Sequence, residues 1–364
     1  MKRMLAWILL VATVLSLWGC AEAPAQPETN AAPTETVLSE EPTDDQQAPA
    51  PTTDLPYSDK HLFVKVSAIT FSLVGESEDI YLGLVPRELV TWESEDPSVV
   101  SVEGGVLTAN GVGTTVIRAF YGDQSVEITA GCLAETQEAL DALDAATLSA
   151  PKRLPPEVDL DEPCTYFDNA AMIGDSIAYF LWQTESSNNY LGDMQFITRQ
   201  GVSINGLVRR FKNMYFQGRE MYIEDITAKC KATRVYIMLG CLDFQVNAAR
   251  SYVMDSWNTM LDRILAKRPD LEIVIISNIP SYTVETTPTV YNEAVVETTA
   301  NLKQLTADRG FGFLDLGYYI QDHYGRMPAI YSDDEYHMNT EGSMVWIKVL
   351  RYYAQFELEG GTLS

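Results

Sequence analysis

The sequence is poor in histidine, in closely spaced cysteines and in positive charge. It has three histidines in 364 residues, and its five cysteines form no Cys-x-x-Cys pair, so neither a histidine-rich metal site nor a zinc ribbon nor a dense disulfide framework is encoded. We therefore expect free thiols, no metal and no cofactor. Lys and Arg number 25 against 51 Asp and Glu, a net charge of -26, which argues against broad electrostatic binding of nucleic acid or of anionic lipid. A neutral substrate fits this balance better.

The N-terminus has the composition of an export signal. Two basic residues precede an apolar run from Leu5 to Trp18, which is shorter than the about 20 residues that span a bilayer. The run ends in Leu17-Trp18-Gly19-Cys20, which resembles a bacterial lipobox. This resemblance implies a signal peptide at residues 1–19 and lipidation of Cys20, and an uncleaved anchor helix is the alternative. Both predict an exported protein on the outer face of the cytoplasmic membrane, facing the cell wall or the exterior.

Residues 20–60 are predicted to be a disordered linker that carries the lipid. They are rich in Ala, Pro, Thr, Glu and Gln and have almost no large apolar side chains, so they cannot pack a core.

Residues 61–133 are predicted to form a small all-β domain. Short runs rich in β-branched residues are separated by turn residues, and they are Phe63–Val66, Ile69–Val74, Ile80–Leu84, Val99–Val102, Val106–Ala109, Thr114–Tyr121 and Ser125–Thr129. Such a pattern is typical of a β-sandwich, with Trp92 in its core. The stretch from Val90 to Ile117 resembles the bacterial Ig-like domains of surface proteins, and we expect a spacer, with sugar binding as the alternative. Residues 134–165 are predicted to be a connector with a helix over Glu135–Ala146.

Residues 166–364 have the alternating pattern of an α/β fold. Five apolar runs alternate with helical stretches: Ala170–Ile173, Met194–Ile197, Val235–Leu239, Ile273–Ile276 and Gly312–Leu314. This order predicts a three-layer α/β/α domain around a parallel sheet. One helix places five residues on a single face (Val253, Trp257, Met260, Leu261 and Ile264), and another spans Asn292–Ala307. Ligands of such sheets bind at the carboxyl ends of the strands.

A serine follows the first of these runs, in Gly174-Asp175-Ser176. A serine at a strand-to-helix corner has an exposed hydroxyl, and its N–H lies near a helix N-terminus, where negative charge is favoured. These are the requirements of a nucleophile whose product carries an oxyanion. A simple N-cap is the alternative interpretation of Ser176.

The second half of the site is predicted 161 residues later, where Asp334 and His337 are three residues apart. In one turn the carboxylate accepts a hydrogen bond from one imidazole nitrogen while the other nitrogen faces Ser176. This is the arrangement of a Ser-His-Asp triad, in which His337 takes the serine proton. His61 abuts the linker and His323 lies in a turn, so both are poorer candidates.

The order of these blocks resembles the SGNH or GDSL hydrolase family, over residues 168–355. The resemblance implies a flavodoxin-like sheet order, with Ser176 as nucleophile and Asp334 and His337 completing the triad. It also implies an oxyanion hole made of the backbone N–H groups of Ser176 and Gly201.

The third block departs from the family pattern. The sequence has Gly240-Cys241-Leu242-Asp243, where the family has asparagine at the position of Leu242. Leucine cannot donate the third oxyanion hydrogen bond, and loss of one such donor typically costs about 10²- to 10³-fold in rate. A slower enzyme that uses the Ser176 and Gly201 N–H groups stays open, and Gln245 or Asn247 replaces the lost donor if the loop is shaped differently. The alternative is a degenerate hydrolase that binds without turnover.

The sequence thus favours an extracellular, membrane-anchored serine esterase that acts on a small acyl ester or on an acylated polysaccharide. It predicts membrane attachment through lipidated Cys20 and no nucleic-acid partner. Two alternatives stay open, an O-acyltransferase that acts on a cell-wall glycan and a binding or adhesion lipoprotein.

Overall fold

The computed structural model describes residues 56–211, 213–246, 248–282 and 288–361. The predicted signal peptide, Cys20 and nearly all of the predicted 20–60 linker lie outside these residues. Within the described ranges, none of the helices combines the length and the apolar character that a bilayer crossing needs.

Residues 68–134 form seven strands that are divided between two sheets. The strands are β1 Ala68–Leu73, β2 Ser77–Asp79, β3 Thr91–Ser94, β4 Val100–Glu103, β5 Val106–Ala109, β6 Gly113–Tyr121 and β7 Gln124–Ala134, with a 3-10 helix at Arg87–Leu89. One sheet has the order β3-β6-β7-β1 and is completed by β8, Arg153–Leu154; the other has the order β2-β5-β4. Ile117 and Ile128 of the first sheet and Leu107 of the second are fully buried in one hydrophobic cluster. Trp92, predicted to lie in the core, is partly buried and packs against this cluster.

Two of the predicted strand runs are wrong, Phe63–Val66 and Ile80–Leu84, because neither forms a strand. Alternate residues in both runs are buried, as in a strand, but the only backbone link between them is from Lys65 N–H to Tyr81 O, at 3.2 Å. The single helix predicted over Glu135–Ala146 is also wrong. Two short helices occupy this region, α1 Gln137–Asp141 and α2 Ala145–Leu148.

The C-terminal part is an α/β fold, as the alternating pattern predicts. Its strands are β9 Ala170–Gly174, β10 Gln195–Thr198, β11 Met214–Phe216, β12 Arg219–Met221, β13 Arg234–Met238, β14 Glu272–Ile276 and β15 Gly312–Leu314. Five of them form a parallel sheet in the order β10-β9-β13-β14-β15, and β11 and β12 form a separate hairpin. Every residue of β9 is buried, as expected for a central parallel strand that is covered on both faces.

The helices of this part alternate with its strands. They are α3 Ser176–Glu185, α4 Ile204–Val208, α5 Ile223–Lys229, α6 Cys241–Gln245, α7 Arg250–Lys267, α8 Pro288–Arg309 and α9 Thr340–Leu358, with a 3-10 helix at Ala329–Tyr331. The five apolar residues predicted on one face of α7 are all buried, and Trp257 is fully so. These buried residues belong to the same hydrophobic cluster as the strands of the parallel sheet.

The β-sheet part and the α/β part pack against each other, and residues 54–364 fall into one compact unit. At the junction the guanidinium of Arg153 donates to both oxygens of Glu78, at 2.7 to 3.1 Å, and both side chains are only 13% exposed. The Tyr318 hydroxyl donates to the same carboxylate, and the Lys65 ammonium lies over the Tyr318 ring. The predicted connector therefore supplies a strand, β8, and the arginine of a partly buried ion pair.

The first described residues pack against the last helix. Lys60 Nζ donates to Glu359 O at 3.1 Å, and the Phe63 ring meets the rings of Tyr352 and Phe356 edge-on, with centroids 5.6 and 6.2 Å away. The point where the chain enters the folded part thus lies on the C-terminal end of α9.

Candidate active site

The corner between β9 and α3 is built around a glycine and an aspartate. A Cβ on Gly174 would lie against the Ala178 side chain and 2.8 Å from Met238 O, so only glycine permits the helix to start this close to the sheet. Asp175 is the N-cap, and its Oδ1 accepts from Ile177 N–H at 3.0 Å. Ser176 is the first residue of the helix, where a backbone N–H has no acceptor within the helix.

Ser176, His337 and Asp334 lie together at the carboxyl end of the sheet. His337 Nε2 is 2.9 Å from Ser176 Oγ, and His337 Nδ1 is 2.7 Å from Asp334 Oδ2. The Phe180 ring packs against the imidazole of His337, with the two ring centroids 4.8 Å apart. The distances from the serine to the imidazole and from the imidazole to the carboxylate are those of a nucleophile, its base and the group that orients the base.

Asp334 is held in its ionised form by the turn that also carries the histidine. Partial burial acts to raise its pKa, but hydrogen bonds from the N–H groups of His337 and Tyr336 and from the His337 ring outweigh it, so the pKa lies below its ordinary value. Both N–H groups donate to Oδ1 at 2.8 Å, which leaves Oδ2 for the imidazole. The carboxylate is therefore an acceptor for the Nδ1 proton throughout the neutral range.

Asp175 connects the first and third sequence blocks behind the serine. Its second oxygen accepts from Cys241 N–H at 3.3 Å, and the side chain is 1% exposed. Burial raises the pKa of Asp175 to about 6, against the opposing effect of the two N–H donors and of His337. Ionisation of this carboxylate is therefore less favourable than in water. Its two oxygens accept hydrogen bonds from the first turn of α3 and from the first residue of α6.

Replacing Asp175 with asparagine should change how stability depends on pH. The pKa of Asp175 is ordinarily 3.8 and is about 6 in the folded protein. Between these two pH values the folded state binds more protons than the unfolded state, so the free energy of unfolding falls as pH rises from about 4 to about 6. We expect the free energy of unfolding of the wild type, relative to Asp175→Asn, to fall by about 2 kcal/mol between about pH 4 and about pH 7.

Urea unfolding of both proteins at the two pH values measures this difference. Asp193→Asn is the matched control, because Asp193 is exposed and its replacement should leave the pH dependence unchanged. A wild-type-minus-variant difference that stays constant with pH would contradict the buried, weakly acidic state of Asp175.

The predicted oxyanion glycine, Gly201, follows β10 and lines the same cleft as Ser176. The loop that carries it is held by Asp243, whose Oδ2 accepts from Ile204 N–H at 2.8 Å and which is 2% exposed. The aspartate of the third block therefore positions the second block.

The third block lies at the end of β13, where the chain turns into α6. Gly240 has a φ of 124°, a backbone conformation that L side chains rarely adopt, and an added Cβ would lie 3.2 Å from the Phe244 ring. Leu242 and Gln245 both line the cleft, whereas Asn247 lies outside the described residues. The Gln245 amide donates to Cys241 Sγ, at 3.7 Å.

The remaining histidines, and the described cysteines other than Cys241, are not among the residues that line this cleft. His323 Nδ1 is 3.0 Å from Ser72 Oγ at the junction between the two parts, and burial lowers its pKa to about 4. His61 lies 3.5 Å from Glu359. Among the described residues the four cysteines are free thiols, and no group of three or more His, Cys, Asp or Glu side chains has the geometry of a metal site.

Two cavities meet at the imidazole. The cleft, of about 390 Å³, is lined by Ser176, Gly201, Val202, Cys241, Leu242 and His337. The side pocket, of about 410 Å³, shares Phe180 and His337 with the cleft and is lined mainly by amide and hydroxyl side chains: Gln183, Thr184, Ser187, Asn188, Asn339 and Thr340. Phe180, Asp334 and His337 line both cavities. The imidazole is therefore in contact with two cavities that are lined by different sets of side chains.

The profile of the GDSL-like Lipase/Acylhydrolase family matches residues 172–345, and this part of the chain is therefore a GDSL/SGNH-type acylhydrolase domain. The match includes Ser176, Gly201, Asp334 and His337. No curated protein matches the sequence.

Solved structures of hydrolases resemble about half of the chain at low identity. A GDSL-like lipase from Bacteroides thetaiotaomicron is 13% identical, with a TM-score of 0.42, over 53% of this chain and 91% of its own. A carbohydrate esterase of family 3 from Talaromyces cellulolyticus is 15% identical, with a TM-score of 0.38, over 52% and 98%. Est24, a carbohydrate acetylesterase from Sinorhizobium meliloti, is 14% identical, with a TM-score of 0.38, over 51% and 97%.

Proposed function

We propose that the protein is a serine esterase that hydrolyses short acyl esters of carbohydrates. The single observation that supports it best is the unbroken series of contacts from Ser176 Oγ through the His337 ring to Asp334 Oδ2, at 2.9 and 2.7 Å. The acylhydrolase family of residues 172–345 gives the reaction class.

In the acylation step, Ser176 Oγ attacks the ester carbonyl carbon while its proton passes to His337 Nε2. Asp334 accepts the hydrogen bond from Nδ1–H and stabilises the imidazolium that forms. The bond from the carbonyl carbon to the alcohol oxygen then breaks, and Nε2 returns the proton to that oxygen. The products of this step are an acyl-serine and a free alcohol.

In the deacylation step, water takes the place of the alcohol beside His337. The imidazole removes a proton from the water while the water oxygen attacks the acyl carbon. The bond from the acyl carbon to Ser176 Oγ then breaks, Nε2 gives the proton to Oγ, and the carboxylic acid leaves. In both steps the negative charge on the carbonyl oxygen forms in the cleft, where we assign the backbone N–H groups of Ser176 and Gly201 as donors.

The two cavities support a carbohydrate as the alcohol part of the ester. Because Nε2 must reach both Ser176 Oγ and the leaving oxygen, the ester binds beside the imidazole, which lines both cavities. The cleft, with Val202, Cys241 and Leu242, offers a small, largely apolar place for a short acyl chain. The side pocket offers amide and hydroxyl groups, and the carboxylates among its lining residues are those of Asp333 and Asp334, which suits a neutral polyol.

The exported location belongs to the same proposal. The lipobox-like sequence at Cys20 and the linker that follows it support attachment to the outer face of the cytoplasmic membrane. We assign the β-sheet part, residues 61–133, as an Ig-like spacer on the basis of its sequence pattern.

A binding protein without turnover is the second candidate, and the half-buried Leu242 is the observation that favours it. Its cleft would keep the triad but have one oxyanion donor fewer than an efficient esterase.

Two measurements with the purified full chain separate these candidates. We expect covalent labelling of Ser176 by a fluorophosphonate probe, located by peptide mass spectrometry, and release of acetate from O-acetylated xylan. A protein that is labelled but releases no acetate from the xylan or from p-nitrophenyl acetate supports the binding protein. Absence of both labelling and turnover would overturn the esterase. Transfer of acetyl to an added glycan, in place of release as acetate, would assign the acyltransferase.

A further inference from the structure

A basic and aromatic surface lies beside the cleft of a chain that is otherwise strongly acidic. Residues 195–219 contain five Lys or Arg and no Asp or Glu. A segment of this length would hold three or four acidic residues at the average of the chain, which has 51 in 364. The basic surface is defined here by the exposed residues Arg209, Arg210, Phe211, Tyr215 and Arg219.

Two of its arginines have no carboxylate partner in the part of the chain that the structure describes. Arg209 and Arg219 are exposed and form no ion pair there, although the Arg209 guanidinium lies 5.1 Å from the Tyr252 ring centroid. Arg210, in contrast, pairs with Glu224 at 2.8 Å. Most arginines elsewhere in the described chain also pair with carboxylates: Arg87, Arg118, Arg153, Arg234, Arg268 and Arg309. The charge of Arg209 and Arg219 is therefore available to an external anion.

Aromatic rings are exposed between these cations. The Phe211 side chain is 78% exposed and Tyr215 is 50% exposed, in a protein that buries most of its large apolar side chains. Exposed aromatic rings next to arginines are typical of binding surfaces, because a flat ring gives contact area at a small cost in side-chain entropy.

The basic surface is continuous with the cleft. The Tyr215 ring lies under the Arg199 guanidinium, at 4.4 Å, and this guanidinium also pairs with Glu220 at 2.7 Å. Arg199 directly precedes Gln200 and Gly201, which line the cleft. Arg199 N–H in turn donates to Gly174 O, next to the serine corner, at 3.1 Å. A chain molecule bound along this surface would therefore lead into the cleft that holds Ser176.

We propose that the basic surface binds a polysaccharide that carries carboxylate groups. Arginine matches a carboxylate with two parallel hydrogen bonds, and tyrosine and phenylalanine offer flat faces to sugar rings. Because the acidic side pocket disfavours a charged sugar, the acylated unit itself is neutral and the carboxylates lie on other units of the same polymer. The binding uses none of the triad residues, so it does not depend on the proposed hydrolysis.

A single polymer strand fits this surface better than an anionic membrane does. Charges are screened beyond about 8 Å in physiological salt, so a strand can follow a narrow basic strip without meeting the acidic remainder of the protein. A planar membrane presents its charge to a whole face, and the net charge of -26 opposes that approach. Phe211 is also the one purely hydrocarbon side chain of the defined surface.

The test measures binding of the full chain, carrying Ser176→Ala, to polygalacturonate and to neutral galactan, at about 50 mM salt where exposed charges are weakly screened. We expect binding to polygalacturonate, little binding to galactan, and an affinity about fivefold to tenfold lower when Arg209→Ser and Arg219→Ser are combined. Tyr215→Ala should weaken binding as well. The matched control is Lys229→Ser with Lys231→Ser, an equal change of charge at two exposed positions, the last residue of α5 and the second residue after it, which should change the affinity less than twofold.

Three outcomes would overturn the proposal. The first is that both double variants weaken the affinity for polygalacturonate equally. The second is that galactan and polygalacturonate bind with equal affinity. The third is that the Arg209/Arg219 variant loses binding to phosphatidylcholine–phosphatidylglycerol vesicles and keeps binding to polygalacturonate. Thermal unfolding midpoints equal to that of the parent protein establish that each variant is folded. Failure of hydrolysis with polygalacturonate binding intact would refute the esterase alone.

Discussion

Replacing Ser176 with alanine should lower kcat for p-nitrophenyl acetate by at least about 10⁴-fold, since removal of the nucleophile of a Ser-His-Asp triad typically costs about that much or more. The fold should not change, because the replaced hydroxyl contacts the imidazole and supports no backbone hydrogen bond of the described chain. The helix start is held instead by Asp175 and Gly174. Initial rates at several substrate concentrations measure the effect.

Ser186→Ala is the matched control for this substitution. Ser186 follows α3, and its hydroxyl donates to Gln183 O, away from the cleft. This variant should keep the wild-type rate. Loss of the rate in both variants, or in neither, would contradict the assignment of Ser176 as the nucleophile. A rate reduced only about tenfold in Ser176→Ala would mean that another group starts the reaction.

Replacing Leu242 with asparagine should raise kcat by about 10- to 100-fold. Leu242 lines the cleft together with Ser176 and Gly201, so an amide there can donate to the carbonyl oxygen as its negative charge forms. A well-placed donor of this kind is worth about 10²- to 10³-fold in rate. We expect a smaller gain because the residues around position 242 are not arranged to orient an asparagine amide. The gain should fall on kcat, because the charge exists only in the transition state.

Leu242→Ala is the control, because it opens the same space without adding a donor. We expect it to leave kcat within a few-fold of the wild type. Equal gains in the alanine and asparagine variants would mean that space, and not a hydrogen bond, limits the wild type. No gain in Leu242→Asn would mean that a different side chain already supplies the third donor, for which Gln245, in the same cleft, is the first to test.

The central part of the fold is predictable because parallel strands that are buried on both faces are continuous apolar runs. Ala170–Ile173 is such a run, and β9 extends it by one residue to Gly174. Alternating burial is less informative. The run Phe63–Val66 has the alternation of a strand, yet it pairs with no strand, because alternation records which side chains face the core and not where the N–H groups donate.

The candidate site is predictable in its residue types and only partly in its structure. The Gly-Asp-Ser corner and the Asp334–His337 turn are local patterns, and their meeting follows from the position of ligand sites in α/β folds. Three features join residues that are distant in sequence and could not be predicted. They are the hydrogen bond from Cys241 N–H to Asp175, the hydrogen bond from Ile204 N–H to Asp243, and the second cavity. Net charge also concealed the basic surface, because it averages a short positive segment over a long acidic chain.

The last helix separates the catalytic residues from the point where the described chain begins. His337 precedes the first turn of α9, whereas Phe63 packs on Phe356 near its last turn. With 19 residues this helix is about 28 Å long. The described chain therefore begins near the end of this helix that is remote from the catalytic serine.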